Sequence, residues 1–419
     1  MRIAAILIAA ATLTTAFVFA GENWPQYRGP HEDGHSDAAG LPVTWSEKEN
    51  IVWKTAIHDK GWSSPVVWGD QVWMTTAKAD GTQMFAVCVD RKTGEVSYDL
   101  KVFDVEEPVP LKNGTNTYAS PTPTIEEGRV YVHFGSYGTA CLDAKTGAKL
   151  WERRDLRCDH WRGPASSPIL FGGLLILTFD GFDAQYVVAL DKKTGQTVWK
   201  SDRDRDFDYG TDDGDRRKAF ATPAVITVKG KPELISPAAI ATTAFDPLTG
   251  KVLWVVYHGG MNVTQPPLFG LGKVFLCTGD GGLKMLAVRP DGAGDVTKTH
   301  IDWKYSKNVP SRSSPILVDD LLYFANEMGG MLSCIDAKNG DPVWQERLGG
   351  SFWASPIYAD GRLYLFNDEG TTTVGEIGRT WKKLAANKLD DGCMASPAVA
   401  GKSLFVRTRT HLYRIEKKD

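Results

Sequence analysis

One tripeptide, a small residue followed by Ser or Thr and then Pro, recurs along this chain at an interval that limits the choice of fold. It stands at Ser63-Ser64-Pro65, Ala119-Ser120-Pro121, Ser166-Ser167-Pro168, Ala221-Thr222-Pro223, Ser313-Ser314-Pro315, Ala354-Ser355-Pro356 and Ala395-Ser396-Pro397. A degenerate copy is Gln265-Pro266-Pro267. Pro65 to Pro397 is 332 residues over seven intervals, about 47 per repeat, which is the spacing of propeller blades.

Two further features keep the same period. A turn recurs as Asp90–Gly94, Asp143–Gly147, Asp191–Gly195, Asp246–Gly250 and Asp336–Gly340. Its Asp can accept from turn N–H groups, and its Gly can take the positive φ of a bulged hairpin. An aromatic follows as Tyr98, Trp151, Trp199, Trp254, Trp303, Trp344 and Trp381. Short runs of Val, Tyr, Leu and Phe between Gly and Asp, as in Ala119–Leu156, read as a four-stranded antiparallel meander.

Eight starts against seven aromatics predict how the ring closes. The last repeat supplies three strands, and its fourth is expected to be Ile51–Ile57, with Trp53 as the eighth aromatic. The expectation is an all-β, eight-bladed propeller over residues 51–419. The alternative is seven blades with the weak fifth repeat as an insertion. Closure by the N-terminal strand would remove the open edges. Loss of residues up to Ile57 is therefore expected to be severe, and loss of Gly21–Pro42 much milder.

Residues 1–20, a basic start and an apolar run ending Val18-Phe19-Ala20, read as a cleaved signal peptide. No Cys lies near the cleavage site, so a lipoprotein is not expected, and no later stretch is apolar enough to span a membrane. The mature chain is expected to be periplasmic or secreted, and a monomer. The formal net charge of −3 over the whole 419-residue sequence gives no bias towards nucleic acid. Residues 21–50 read as a strap over the propeller surface, with Trp24 and Tyr27 packed into a groove of the ring. Cys88, Cys141 and Cys334 share one repeat position, filled elsewhere by Ala189 and Ala244, as a small buried strand position would be. Cys158, Cys277 and Cys393 make no CxxC or zinc pattern.

Varied loops fall on one face, where fourth strands pass to the next blade and second strands pass to third. Three residues before each Pro, at the channel mouth, stand Trp62, Tyr118, Ala165, Phe220, Thr264, Arg312, Trp353 and Met394. The second-to-third loops add Asp180, Asp183, Asp280, Asn326, Glu327, Asn367 and Asp368, and a long loop adds Asp159, His160, Trp161 and Arg162. Together they suggest a funnel for a planar anion or an extended ligand, centred on Trp62, Tyr118, Trp161, Arg162, Phe220, Arg312, Asn326, Glu327, Trp353 and Asp368. The insert Ser201–Lys218 carries Asp204, Asp206, Asp208, Asp212 and Asp215 at spacings resembling a calcium loop. Tyr209 stands where such a loop needs Gly. A solvated charged loop is the reading preferred over a metal site at Asp204, Asp206 and Asp208.

The unit Ala/Cys-x-Asp-x-x-Thr-Gly-x-x-x-Trp resembles the repeat of pyrroloquinoline-quinone (PQQ) dehydrogenase propellers, and most of all the exported PQQ-binding-like repeat proteins. Those often open with a segment like Trp24-Pro25-Gln26-Tyr27-Arg28-Gly29-Pro30. The family is also similar to the propeller lipoprotein of outer-membrane β-barrel assembly, a binding scaffold. The resemblance covers nearly all of the mature chain and is specific for fold. Quinoproteins of this kind carry an adjacent Cys-Cys ring, which is absent here. Their chemistry needs a stacking Trp, an Arg at the quinone, calcium ligands and a carboxylate base. Trp62 or Trp353, Arg312 or Arg162, and Asn326 with Glu327 could fill the first three roles, and no residue stands out as the base. The expectation is therefore a non-catalytic scaffold binding a protein or small ligand on the loop-rich face. The alternative is a PQQ- and calcium-dependent dehydrogenase of alcohols or sugars.

Overall fold

The computed structural model describes residues 21–112, 114–203 and 215–418. The segment read as a signal peptide, and Asp204, Asp206 and Asp208 of the insert, lie outside the described residues.

Eight four-stranded antiparallel sheets form a ring, so the chain is an eight-bladed β-propeller with almost no helix. The degenerate start at Gln265 opens a true fifth blade, running from Leu268–Gly270 to Ile301–Tyr305. The last blade takes Ala398–Ala400, Ser403–Arg407 and His411–Glu416 from the C-terminus. Ile51–Ala56 pairs antiparallel with His411–Glu416 to complete it, placing Trp53 opposite Arg414 and Lys54 opposite Tyr413.

The repeat pattern follows from how blades dock. Most outer-strand aromatics lie on the turn of the next blade; Trp254 instead donates to Glu233 of its own blade at 2.8 Å. The indole N–H of Trp53 donates to Arg91 O at 3.0 Å, of Trp151 to Lys192 O at 3.1 Å, of Trp199 to Pro247 O at 3.0 Å and of Trp303 to Ala337 O at 3.1 Å. The Tyr98 hydroxyl reaches Lys145 O in the same way. The turn glycine is required twice over. At Gly94 φ is +78°, and a Cβ there would stand 2.7 Å from the Trp53 ring. The turn Asp accepts from N–H groups two and three residues on, as Asp90 does from Lys92 and Thr93. The Thr N–H bonds hold the Asp90, Asp143 and Asp191 carboxylates below the usual range.

The small third-strand position lies between a large second-strand side chain and the outer aromatic. Cys88 stands between Trp73 and Tyr98, Cys141 between Tyr131 and Trp151, Cys334 between Tyr323 and Trp344, and Ala189 between Ile176 and Trp199. A larger side chain there would force the sheets apart. All six cysteines are buried and free. Burial pushes five of their thiols up to about 12 and Cys141 up to about 11. A disulfide-exchange reagent at neutral pH is therefore expected to label none of them in the native protein and all six after denaturation. A thiol that reacts without unfolding would show that its blade opens.

Blade 7 departs from the pattern. Ala385 occupies the ladder position opposite Val374, and Trp381 precedes the fourth strand. Trp381 packs over Gly375 and against Trp344, with centroids 5.9 Å apart. The reason lies in the closure. The third and fourth strands of blade 8 come from opposite ends of the chain, so no Asp-to-Gly turn exists for a blade 7 aromatic to meet. Trp45, just ahead of the closing strand, stacks on Tyr364 of blade 7 at 6.5 Å.

Residues 24–36 bond to the inner strands of several blades. Trp24 exchanges backbone hydrogen bonds with Val67 of blade 1, both at 2.8 Å, and Pro25 O accepts from Ile125 N of blade 2 at 2.8 Å. His35–Ser36 pairs parallel with Tyr358–Ala359 of blade 7. Converging inner strands present unpaired edges, and this segment covers several of them. Among the described residues, no helix is long and apolar enough to cross a membrane.

Candidate functional site

A cavity of about 240 Å³ opens at the centre of the loop-rich face. Its throat shows why each start carries a hydroxyl before proline. Ser64 N donates to Thr122 Oγ1, Thr122 N to Ser167 Oγ and Ser167 N to Thr222 Oγ1, each at 3.0 Å. Ser314 N donates to Ser355 Oγ at 3.1 Å, and Ser355 N to Ser396 Oγ at 2.9 Å. Blades 1 to 4 and blades 6 to 8 are thus stitched hydroxyl to amide about the axis. Pro266 breaks the ring in blade 5, where Gln265 Nε2 donates to Pro310 O at 2.8 Å instead.

The same interactions correct one register. In blade 2 the stitching hydroxyl belongs to Thr122, so Thr122-Pro123 opens the inner strand Thr124–Glu126. The tandem Ser120-Pro121-Thr122-Pro123 hides this shift of two. Ser120, not Tyr118, therefore faces the cavity. Tyr118 is buried against Tyr137, with its hydroxyl donating to Val109 O at 2.9 Å.

Of the sequence candidates, Trp62, Arg162, Phe220, Arg312 and Trp353 line the cavity, with Ala165, Thr264 and Met394. Trp62 is held by its indole N–H on Thr115 O at 3.0 Å, and Trp353 by Ser351 Oγ at 2.9 Å. Arg312 lies over the Trp353 ring at 5.8 Å and is 3.6 Å from Asp280. Trp161 stands behind the wall, with Lys112, Arg162 and Lys218 against its ring at 4.9, 4.4 and 4.5 Å. Tyr27 forms part of the floor, 3.2 Å from Ser355 Oγ. Below it Arg28 is buried, donating to Pro356 O at 2.7 Å, Asp33 O at 2.6 Å and Pro315 O at 3.0 Å. Burial lowers its pKa.

Asn326, Glu327 and Asp368 lie outside this cavity lining. Asn326 Oδ1 accepts from Met331 N at 3.1 Å, closing its own loop. Glu327 accepts from the Ser311 hydroxyl and, at 3.2 Å, from its amide. Asp368 N donates to Ser351 O at 2.9 Å. Tyr27, Asn116, Asn262 and the throat hydroxyls line the site without having been singled out from the sequence. The hydroxyls were visible there as the Ser/Thr of the start, a strand-opening signal whose direction towards the axis only the fold supplies.

The described residues do not fit a bound PQQ–calcium pair. The ring stack has candidates in Trp62 and Trp353, but the oxygen donors proposed for calcium are bonded elsewhere, Asn326 within its own loop and Glu327 to Ser311 of the loop entering its blade. Among the described residues no group of three His, Cys, Asp or Glu side chains converges as a metal site, and the cavity wall carries neither Asp nor Glu. What the arrangement offers is two guanidinium groups, aromatic walls and a polar throat.

Comparison with known proteins places this architecture among relatives. The family profile described as outer membrane protein assembly factor BamB matches residues 46–202 and 183–419. A curated protein of that name from Burkholderia pseudomallei (strain K96243) is 28% identical over 171 residues, 39% of this chain and 39% of that protein. The match thus spans well under half of the relative's length. BamB from Moraxella catarrhalis has a similar structure, with a TM-score of 0.62 at 12% identity, covering 88% of this chain and 97% of that one. Quinohemoprotein alcohol dehydrogenase from Comamonas testosteroni gives 0.67 at 13% identity, covering 95% and 81%. At these identities the structures show a shared fold alone.

Proposed function

The chain belongs to the PQQ-like propeller family described as outer membrane protein assembly factor BamB, and on that premise we propose that it is an exported, non-catalytic scaffold. Residues 1–20 direct export, and residues 51–419 form the binding ring. The loop-rich face captures an extended segment of a protein partner, and the central cavity receives an anionic side chain or terminus of that segment.

The observation that carries this reading is the cavity wall. Trp62, Phe220 and Trp353 stand with Arg162 and Arg312 around a throat of hydroxyls, and no carboxylate among the described residues lines it. Aromatic and arginine side chains in a concave site are the groups that dominate binding energy at interfaces. The relatives named for assembly rather than for a reaction agree with a binding role.

Photo-crosslinkers at Met394 and Thr264 in the exported protein test it. Adducts to a discrete partner are expected, and Arg312→Gln or Trp353→Ala should weaken capture by about tenfold or more, the range of an interface hot spot. The dehydrogenase reading makes the opposite prediction. Saturable binding of PQQ with calcium, followed by dye reduction with alcohols or sugars, would overturn the scaffold reading.

A further inference from the structure

Beside the central cavity lies a larger one of about 560 Å³, between blades 2 and 3 on the same face. That is within the range of about 300–1,000 Å³ for small-molecule sites. One wall is the loop after blade 1, with Asp104, Glu106, Glu107 and Val109. The other is the loop after blade 2, with Arg154, Arg157, Asp159 and His160. Strand ends supply the floor through His133, Ser136, Thr178, Phe179 and Asp180.

Nearly all of the buried polar groups lining the groove are already bonded. Asp180 is locked to Arg203 at 2.6 and 3.0 Å. His133 Nδ1 meets Thr139 Oγ1 at 2.8 Å, and the Ser136 hydroxyl donates to Cys158 O at 2.6 Å. His160 is the exception. Its Nε2 lies 3.3 Å from Ala219 O, so that nitrogen carries the proton. Its Nδ1 is then a lone-pair acceptor, and it is buried with no partner. Among the described residues lining this cavity it is the one buried side-chain polar atom left so. A buried acceptor without a donor is costly, and a ligand hydroxyl would relieve it.

We propose that this groove is a second binding site, for a neutral polyhydroxylated ligand of the saccharide class. Three features select hydroxyls over an ammonium group. Burial first, and then the nearby charges of Lys218 and Arg162, disfavour a positive charge on His160 and push its pKa down to about 4. The rim mixes carboxylates that accept with arginines that donate, and vicinal hydroxyls can serve both. Val109, Tyr137 and Phe179 offer apolar surface for the C–H face of a sugar ring. The site is independent of the partner-binding reading of the central cavity.

Titration of the mature protein with neutral disaccharides, followed by calorimetry and amide chemical shifts, tests it. Cellobiose, maltose and the N-acetylglucosamine dimer are suitable probes, with putrescine as the ammonium control. Saturable binding of one disaccharide is expected, weakened about tenfold by His160→Phe and by Glu107→Gln and unchanged by Arg312→Gln in the central cavity. Melting curves of each variant separate lost binding from lost fold, and Glu107→Gln, at an exposed position, is expected to fold normally. No disaccharide binding, binding lost only with Arg312→Gln, or saturable putrescine binding in place of sugar would each overturn the proposal.

Discussion

A chain that begins at His58 is expected to aggregate, and Trp53→Ala in the intact chain is expected to lose roughly 3–5 kcal/mol. Ile51–Ala56 is the outer strand of the last blade, paired with His411–Glu416. Its loss would leave that strand's edge unpaired. It would also remove the contact that joins the last blade to the first. Trp53 is buried, packs against Phe405 with centroids 6.0 Å apart, donates to Arg91 O at 3.0 Å and covers Gly94. A domain stability of about 5–15 kcal/mol leaves little after such a loss. Chemical denaturation of Trp53→Ala and size-exclusion profiles of the truncated chain give the two readouts. The partner residue supplies a cross-check: Gly94→Ala should also destabilise, because φ is +78° and a Cβ would meet the indole ring. An unchanged midpoint in Trp53→Ala would mean that the ring is not held at this joint.

Much of this joint could be read from the sequence because propeller repeats write their contacts locally. The turn Asp, the turn Gly, the small third-strand residue and the outer aromatic belong to one docking interaction, repeated at a fixed period. Counting the parts was enough to find the missing strand. The failures share a cause too. Trp381 had the right residue type and approximate spacing, but its ladder position depends on a neighbouring turn that blade 8 does not have. Tyr118 was misplaced because two overlapping Ser/Thr-Pro pairs satisfy the same pattern, and only the amide-to-hydroxyl bond from Ser64 to Thr122 decides between them. The cavity wall was legible in part, since Trp62, Phe220, Arg312 and Trp353 follow from position in the repeat. Asn326 and Glu327 were not, because an Asn or Glu in a loop can as readily bond its own loop or a neighbouring one as face a ligand. The unpartnered Nδ1 of His160 could not be seen at all, since it depends on where Ala219 O falls.

The segment of residues 24–36 carries the last prediction, and here the structure reverses the expectation of a mild effect. Removing Gly21–Pro42 is expected to destabilise the protein strongly, and Arg28→Ala alone by at least about 3 kcal/mol. Arg28 is 3% exposed, and its guanidinium donates to Pro315 O of blade 6, Pro356 O of blade 7 and Asp33 O within its own segment. Each buried carbonyl that loses its donor costs about 1–3 kcal/mol. Lys cannot substitute well, because one ammonium cannot reproduce a planar fork spanning two blades. Trp24, 1% exposed, is buried in the same core cluster as Val67 of blade 1 and Ala400 of blade 8. Amide exchange gives a readout specific to this role. The N–H groups of Val67, Ile125 and Tyr358 donate to Trp24 O, Pro25 O and Gly34 O at 2.8, 2.8 and 3.0 Å. In Arg28→Ala these three amides should lose protection before those of the third strands, as the segment leaves the inner strands and the floor under Tyr27 opens. Retained protection at all three, with an unchanged melting temperature, would show that the inner strands hold their convergence without it.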